Sequence, residues 1–150
     1  MGENGQNGLK LLFNKTLRLV FRGSTITSDA GLLVCRELDQ TLQLTEIGPT
    51  YLADTREGPN MRHQLIPLLR QSVYSRLAGY EDTNDAARLA KDPAMRAVVG
   101  HRALERQAAG TSVLGRFETE VLITEENLKG LVQLNAEWVS RAMRRTKHGR

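Results

Sequence analysis

The chain has 150 residues, of which 40% are apolar and 25% are charged, an ordinary composition for a soluble protein of one domain. No run of about 18 apolar residues occurs, and no apolar segment follows a basic start, so the sequence predicts neither a transmembrane helix nor a signal peptide. The formal net charge is +4, but the last ten residues, RAMRRTKHGR, hold five basic residues and no acid. The rest of the chain therefore sums to −1. Such a basic tail suits either a nucleic acid or a solvated helix end.

The N-terminal region is predicted to hold a leader and one strand. Residues 1–15 are expected to be a disordered leader, because the start is rich in Gly and Asn. Residues 16–22, TLRLVFR, alternate apolar and basic side chains, which is typical of a strand with one drier face. A lone strand is not stable, and no convincing partner strand follows. This is a first indication that part of the fold is missing.

Two longer helices are predicted in the middle of the chain. Ser28 is suited to cap the first, with Asp29 in its first turn. Its apolar stripe is expected to comprise Ala30, Leu33, Val34, Leu38 and Leu42. The second helix has Leu65, Leu69, Val73 and Leu77 at intervals of four and a plausible end at Gly79. It accommodates Pro67 only in its first turn, because an interior proline costs about 3 kcal/mol.

Local capping signals predict the remaining helices. Thr83 is expected to begin a short helix, and Asp92-Pro93 to begin the next, which ends at Gly100. Ser112 is a candidate cap for VLGRFETEV, and Thr124 for the last helix.

The last helix is predicted to be amphipathic. Its expected apolar stripe comprises Leu128, Leu131, Val132, Trp138, Val139 and Ala142. Lys129, Gln133, Glu137 and Arg144 are expected to face away from it. Glu137 stands four residues before Arg141, the spacing of a helical ion pair.

The stretch GYEDTNDAARLAKDP, residues 79–93, places Glu81, Asp82, Asp85 and Asp92 close together. Such a run suits a divalent metal, acid–base chemistry or helix starts. A calcium loop needs a central Gly and a closing Glu, and neither is present. The acids fall where helices are predicted to begin and do not share one helical face, so the sequence favours capping over a metal site.

Other candidate sites are weak. His63, His101 and His148 lack the spacing of zinc ligands, and no phosphate loop or dinucleotide motif occurs. Ser28 and Ser112 have no nearby base. The sequence therefore predicts no catalytic residue, no metal ligand and no cofactor.

The sole cysteine, Cys35, cannot pair within the chain, which suits a reducing cytoplasm. Its apolar neighbours indicate plain packing. We therefore expect a cytoplasmic protein with no membrane contact.

A helix-turn-helix is an open alternative for residues 101–121. Here GTSVLGRFETEV is the recognition helix, with Thr111, Ser112 and Arg116 near DNA. The preceding segment, HRALERQAAG, is short and charged for a supporting helix. An ordinary surface helix explains the same residues.

Several stretches together resemble a known family. They are ITSDAGLLVCRELDQTLQLTEIG, RHQLIPLLRQSVYSRLAGYEDTNDAARLAKDPAMRAVVG and VLGRFETEV. The segment GYED-x-ND followed by L-x-x-DP is the most specific. From about residue 17 onward the chain resembles the N-terminal region of bacterial DDE transposases of the insertion-sequence 1380 family. It departs at Gly115, where that family has a small hydroxyl residue.

The resemblance implies a mainly α fold for residues 16–150, with one short N-terminal strand that would join the catalytic sheet of a full protein. The ribonuclease-H-like catalytic domain is expected to be lacking, since the first catalytic Asp would follow Arg150. Magnesium would serve the full-length enzyme, whose carboxylates bracket two divalent ions. No residue here matches a catalytic position. The chain is thus expected to be a truncated, inactive transposase.

The resemblance also implies a role in transposition and recombination of an insertion sequence. The expected partners are the terminal inverted repeats of the element, a second copy of the chain, or full-length transposase. The expected phosphate contacts are Arg116, Arg141, Arg144, Arg145 and Lys147. Two alternatives remain: a small DNA-binding regulator or inhibitor of the intact transposase, and a fragment that only pairs with it.

Overall fold

A computed structural model describes residues 8–19, 28–58 and 61–148 of the chain. This part is mainly helical, which confirms the predicted fold class. A single 3-10 turn at Ser28–Ala30 leads into the first helix. The helices are α1 (Gly31–Leu42), α2 (Gly48–Tyr51), α3 (Leu65–Leu77), α4 (Ala86–Leu89), α5 (Pro93–Val99), α6 (Arg102–Glu105), α7 (Thr111–Arg116) and α8 (Glu125–His148). A π-helical turn, Phe117–Val121, extends α7. Within the described ranges, no helix is long and apolar enough to cross a membrane.

The N-terminal strand finds its partner within the chain. Strand β1 (Leu9–Lys10) pairs antiparallel with β2 (Arg18–Leu19). The strand expected over 16–22 is present as β2, while residues 20–27 lie outside the described residues. The pairing with β1 was not predicted, because two residues are too few to show a periodic pattern.

The second half of the expected leader is folded onto α1. Leu11 is only 1% exposed, and the backbone N–H of Leu12 donates to both carboxylate oxygens of Glu37, at 2.7 and 2.9 Å. The structure therefore differs from a disordered leader over residues 8–15. Residues 1–7 lie outside the described part.

Helix α3 is the centre of the molecule and is buried on nearly all sides. Pro67 is its third residue, so the missing N–H of the proline falls in the first turn, as predicted. Toward its N-terminus, α3 contributes Leu65, Leu68 and Leu69 to one apolar cluster. Further along, Tyr74 packs into a second cluster.

The two clusters form the core. The first collects side chains mainly from α3, α7, the π-helical turn and α8, namely Leu52, Leu65, Leu68, Leu69, Ala86, Ala109, Leu114, Phe117, Val121 and Leu134. The second collects side chains mainly from α1, α5 and α6, namely Leu32, Tyr74, Leu89, Ala90, Met95, Val98, Val99, Ala103 and Ala108. Because α3 belongs to both, it joins them into one body.

The predicted apolar stripe of α1 is correct only in part, since Leu42 is buried and Leu33 packs against the second cluster. Val34 and Leu38 are exposed, at 48% and 56%, whereas Leu32, Arg36 and Asp39 are buried. The buried face is therefore partly polar. A stripe drawn through the apolar residues alone missed it, because polar side chains stand at core positions.

The stripe of α8 is correct only in part. Leu131 and Trp138 pack against the first cluster, and Leu134 is fully buried. Leu128, Val132 and Val139 are exposed. The packing face instead includes Asn127 and Gly130, which apolar periodicity does not identify.

Predicted helix starts succeed where the cap is a strong local signal. Asp92 accepts the N–H of Met95 at 2.9 Å at the start of α5, and Thr124 accepts that of Asn127 at 3.3 Å in α8. Ser112, in contrast, lies inside α7, whose N-cap is Gly110. Thr83 precedes α4 but does not occupy its N-cap position, which is that of Asp85.

Candidate nucleic-acid interface

The basic residues predicted to contact DNA lie mainly on α8, whose first half is fixed to the segment after α2. Asn127 is fully buried, and its side-chain amide pairs with the backbone of Ala53 in both directions: Ala53 N–H donates at 2.7 Å, and the Asn127 amide donates to the Ala53 carbonyl at 2.8 Å. The same amide donates to the carbonyl of Val121 at 2.8 Å. These bonds set the direction in which α8 leaves the core.

Further along, α8 covers the C-terminal end of α1. The indole N–H of Trp138 donates to the carbonyl of Leu44 at 2.6 Å. One turn later, Arg141 donates to the carbonyl of Leu42 at 2.9 Å. The last carbonyls of a helix have no partners within it and carry partial negative charge, so a guanidinium at this position stabilises α1.

Glu137 binds two of the predicted phosphate contacts. Its carboxylate accepts Arg141 at 2.8 Å and Arg144 at 3.0 Å, which confirms the predicted pair with Arg141. The hydrogen bond from Arg141, reinforced by the charge of Arg144, lowers the pKa of Glu137 below its ordinary value. Arg141 is therefore engaged within the fold on both sides, by a carboxylate and by a helix end.

Arg145 and Lys147 differ from Arg141 in their exposure. Both side chains are exposed on the last turns of α8, as is that of Arg144. The helix thus carries three outward-facing cations over one turn beyond its anchored part. Such a surface suits the phosphates of a nucleic-acid backbone, which attract cations without regard to sequence.

Arg116 lies on a different helix from the other four. It is the last residue of α7 and is exposed. The helix-turn-helix alternative placed Arg116 near DNA together with Ser112, which is also exposed. In that alternative the preceding helix is α6, which is only a single turn. Gly115 of α7 lies near Thr83, because a Cβ at position 115 would meet the Thr83 hydroxyl oxygen at an ordinary 3.6 Å.

A buried polar network lies between α1 and α3. Asp39 is 3% exposed and accepts the N–H and hydroxyl of Thr45, at 2.8 and 2.6 Å, and the hydroxyl of Tyr74 at 2.6 Å. Burial, followed by the charge of Asp39, raises the pKa of Tyr74 well above its ordinary value. The phenol therefore acts as a permanent donor to the carboxylate.

Arg70 supplies the countercharge for this network from α3. Its Nε donates to the Thr45 hydroxyl at 2.9 Å and lies 3.8 Å from the Asp39 carboxylate. Its Nη2 pairs with Glu46 at 2.5 Å, and its Nη1 donates to the Val99 carbonyl at 3.4 Å. Arg70 thus ties α3 to the α1–α2 connection and to the end of α5.

Arg36 adds a second buried cation to the network. It lies 3.7 Å from Asp39 and donates to Gln40 at 3.0 Å, but its Nε and Nη1 have no hydrogen-bond partner among the described residues. Burial, and then the charge of Arg70, lower the pKa of Arg36. The ring of Phe13 lies 5.0 Å from its guanidinium carbon. The network links α1, α3 and the α1–α2 connection through buried charged and hydroxyl groups.

Three of the four residues of the acidic run have local partners. Asp92 caps α5, and Asp82 accepts the N–H and side-chain amide of Asn84 at 2.8 and 2.7 Å. Asp85 pairs with Arg88 at 3.4 Å, and Glu81 is exposed. In the described ranges no three His, Cys, Asp or Glu side chains are grouped as metal ligands. The capping interpretation is confirmed for Asp92, and Asp82 closes a side-chain turn.

The fold and the site together define a mainly helical protein with a basic helix end and a structural polar core. A family model described as transposase DDE domain group 1 matches residues 9–149. The chain therefore belongs to this family of DDE transposases. No curated protein and no solved structure matches the chain.

Sequence reasoning missed three buried polar residues that connect separate parts of the fold. Asn127, Asp39 and Arg70 are polar residues that appear solvated in a periodicity plot, yet all three are buried. Asn127 bonds to backbone far away in the sequence, and Asp39 accepts a hydrogen bond from another helix. No local signal therefore identifies these two residues. Asn127 alone had a cue, because it follows the Thr124 cap by three residues.

Proposed function

We propose that the helices of this chain form the non-catalytic N-terminal region of a DDE transposase of the insertion-sequence 1380 family. Its role is DNA binding or subunit assembly during transposition in the bacterial cytoplasm. The membership in the DDE transposase family carries the proposal. The finer assignment rests on the resemblance of residues 79–93 to the GYED-x-ND and L-x-x-DP signature.

The chemistry of strand cleavage is not assigned to these helices. A two-metal centre needs several carboxylates aimed at one point, and Mg²⁺ prefers oxygen ligands. Carboxylates such as those of Asp92 and Glu118 are instead used in a helix cap and an ion pair, and among the described residues no three potential ligands form a group. These residues do not fit such a centre, so no catalytic step is derived from them. Magnesium is proposed for the catalytic core alone.

The DNA contacts are proposed on the end of α8 and on α7. Arg144, Arg145 and Lys147 are exposed on α8, and Arg116 is exposed on α7. Arg141 is included as a residue that orients this surface, because its guanidinium is held by Glu137 and Leu42. Contacts of this kind position a protein on DNA and make its affinity depend on salt.

The test is DNA binding by the whole chain, measured by fluorescence anisotropy between low and moderate salt. The probes are a duplex that carries a terminal inverted repeat and a scrambled duplex of equal length. The double variant Arg145→Glu/Lys147→Glu is expected to weaken binding and to lower the slope of log K against log salt by about 0.9 for each phosphate that is no longer neutralised. The control Lys91→Glu/Lys129→Glu makes the same charge change at other exposed positions.

Two results would contradict the proposal. The first is an absence of binding to either duplex at low salt. The second is equal binding by Arg145→Glu/Lys147→Glu, the control and the unmodified chain, which would remove the end of α8 from the interface. A preference for the repeat over the scrambled duplex would support recognition of the element ends.

A second candidate function is a DNA-binding regulator that competes with intact transposase at the repeats. The observation that favours it is the closed packing of the described residues, in which α3 joins two apolar clusters. In the assembly role named above, the chain would instead pair with a second copy or with full-length transposase. Competition on repeat DNA separates the candidates, because a regulator displaces the intact enzyme and an assembly region joins its complex.

A further inference from the structure

Two adjoining clefts open beside the N-terminal end of α3, apart from α7 and the end of α8. One has a volume of about 350 Å³ and the other of about 380 Å³. They form one continuous depression, because Arg62, His63 and Arg102 line both. The segment before α3 makes one wall, and the chain from the end of α5 through α6 makes the other.

Three arginines line this depression. Arg62 and Arg102 stand at the junction of the two clefts, and Arg106 lines the second. All three are exposed, and none is paired with a carboxylate of the described residues. Among those residues, no Asp or Glu lines either cleft. Elsewhere in the described chain, arginines such as Arg70 and Arg76 have carboxylate partners.

The depression has a firm apolar floor. Pro67 and Val99 are buried beneath the first cleft, and Ala108 beneath the second. The single turn α6 is held in place by Arg96, whose guanidinium donates to the carbonyls of Ala103 and Leu104, both at 2.8 Å. Arg102 therefore projects from a helical turn that is held to α5 by these two hydrogen bonds.

The positive charge around the depression acts on the pKa of His63. Burial is the main cause that lowers its pKa, and the charges of Arg102, Arg56 and Arg62 lower it further. The charges of Arg62 and Arg102 thus disfavour a cation at His63, as they would favour an anion in the depression. His101 adds a second imidazole to the rim.

We propose that this depression binds the phosphodiester backbone of DNA at a place separate from α8. Arginine forks match phosphate oxygens in pairs, and an apolar floor suits the sugar between two phosphates. Three arginines spread over two joined clefts suit successive phosphates of one strand better than a single small anion. The inference rests on the proposed role in transposition and adds a second DNA-binding surface to it.

The experiment compares the whole chain with two charge-matched triple variants. The cleft variant is Arg62→Gln/Arg102→Gln/Arg106→Gln, and the control is Arg88→Gln/Lys91→Gln/Lys129→Gln, all exposed positions. Duplex binding is measured by anisotropy over a range of salt. Thermal unfolding of each variant verifies that the fold is retained. A second measurement follows the Nε–Hε signals of the three cleft arginines during titration with the duplex and with inorganic phosphate alone.

The cleft variant is expected to bind about tenfold or more weakly than the control and to lower the salt slope by about 2 to 3, since each neutralised phosphate contributes about 0.9. The arginine signals are expected to shift with duplex at concentrations at which inorganic phosphate has little effect.

Three outcomes would overturn the inference, and they are distinguishable. Equal binding by the cleft variant and the control, with unshifted arginine signals, removes the cleft and leaves the proposed function intact. Shifts with inorganic phosphate but not with duplex identify a small-anion site. Absence of duplex binding by the unmodified chain removes the proposed function and the cleft interaction together.

Discussion

Gly130 of α8 lies directly against the backbone of Tyr51 in α2. A Cβ atom at position 130 would overlap the Tyr51 carbonyl oxygen and lie 3.0 Å from its carbonyl carbon. The neighbouring Leu52 side chain would be 3.3 Å away. The close approach of α8 to α2 therefore depends on the absence of a side chain.

Gly130→Ala is expected to lower the free energy of unfolding by about 2 kcal/mol, because overpacking costs about 1–3 kcal/mol and outweighs the higher helix propensity of alanine. Chemical denaturation of the variant measures this change. The matched control is Gly115→Ala in α7, where a Cβ would meet Thr83 at 3.6 Å, an ordinary contact. The control is expected to be neutral or stabilising. A stable Gly130→Ala protein would show that α8 does not pack as described.

Asp39 is the one carboxylate shared by Thr45, Tyr74 and Arg70 among the described residues. Asp39→Ala is expected to lower the free energy of unfolding by about 3–5 kcal/mol, because it leaves buried cations uncompensated. Tyr74→Phe removes one hydrogen bond to the carboxylate and is expected to cost about 1.5–3 kcal/mol. Urea denaturation of both variants checks the order. A smaller effect for Asp39→Ala than for Tyr74→Phe would contradict the central position of the carboxylate.

The pair between Glu118 and Arg76 is expected to make stability depend on pH. Glu118 accepts Arg76 at 2.7 and 2.9 Å and Ser72 at 2.7 Å. Burial opposes ionisation of Glu118, but the hydrogen bonds of Arg76 and Ser72 outweigh burial and lower its pKa. Because the pKa of Glu118 is lower in the folded state, its ionised form stabilises the fold at pH values above the ordinary pKa of about 4.3. This stabilisation is lost as the pH falls through the folded-state pKa.

Glu118→Gln is therefore expected to cost about 1 kcal/mol at neutral pH, since Arg76 is half exposed, and to match the unmodified chain in strong acid. Denaturation at several pH values measures the difference. Glu120→Gln on the same turn is the control, because Glu120 is exposed. A constant difference between Glu118→Gln and the unmodified chain at every pH would rule out this linkage.

Arg141 is expected to differ from its basic neighbours in its effect on folding. Arg141→Gln removes the bonds to Glu137 and to the Leu42 carbonyl and is expected to lower the free energy of unfolding by about 1 kcal/mol. Arg145→Gln, on the exposed face, is expected to change it by less than about 0.5 kcal/mol. Thermal unfolding of both proteins makes the comparison. Equal stability of the two variants would mean that α8 is not anchored through Arg141.

The parts of the fold that could be predicted from sequence depend on neighbouring residues. The caps at Asp92 and Thr124 satisfy N–H groups only three residues away, and Pro67 restricts its own helical turn. The buried face of α1 could not be predicted, because Asp39 is stabilised by Tyr74, 35 residues further along. A polar residue is buried when a distant partner satisfies it, and periodicity carries no information about that partner.

The candidate site also has parts that could be predicted from the sequence and parts that could not. The clustering of Arg144, Arg145 and Lys147 on one helix could be read from their spacing. The bond from Arg141 to Leu42 could not, because the two residues are 99 positions apart. The adjoining clefts were missed for the same reason, since Arg62 and Arg102 lie far apart in the sequence and come together only in the folded chain.

The bond from Trp138 to Leu44 gives the protein an internal optical reporter. Trp138 is the single tryptophan of the chain, and it lies where the second half of α8 meets the end of α1. Its fluorescence therefore follows the docking of this half of the helix, whereas circular dichroism follows the helical content of the whole chain. If the basic end of α8 detaches when DNA binds, the emission will shift to longer wavelength while the helical signal is unchanged.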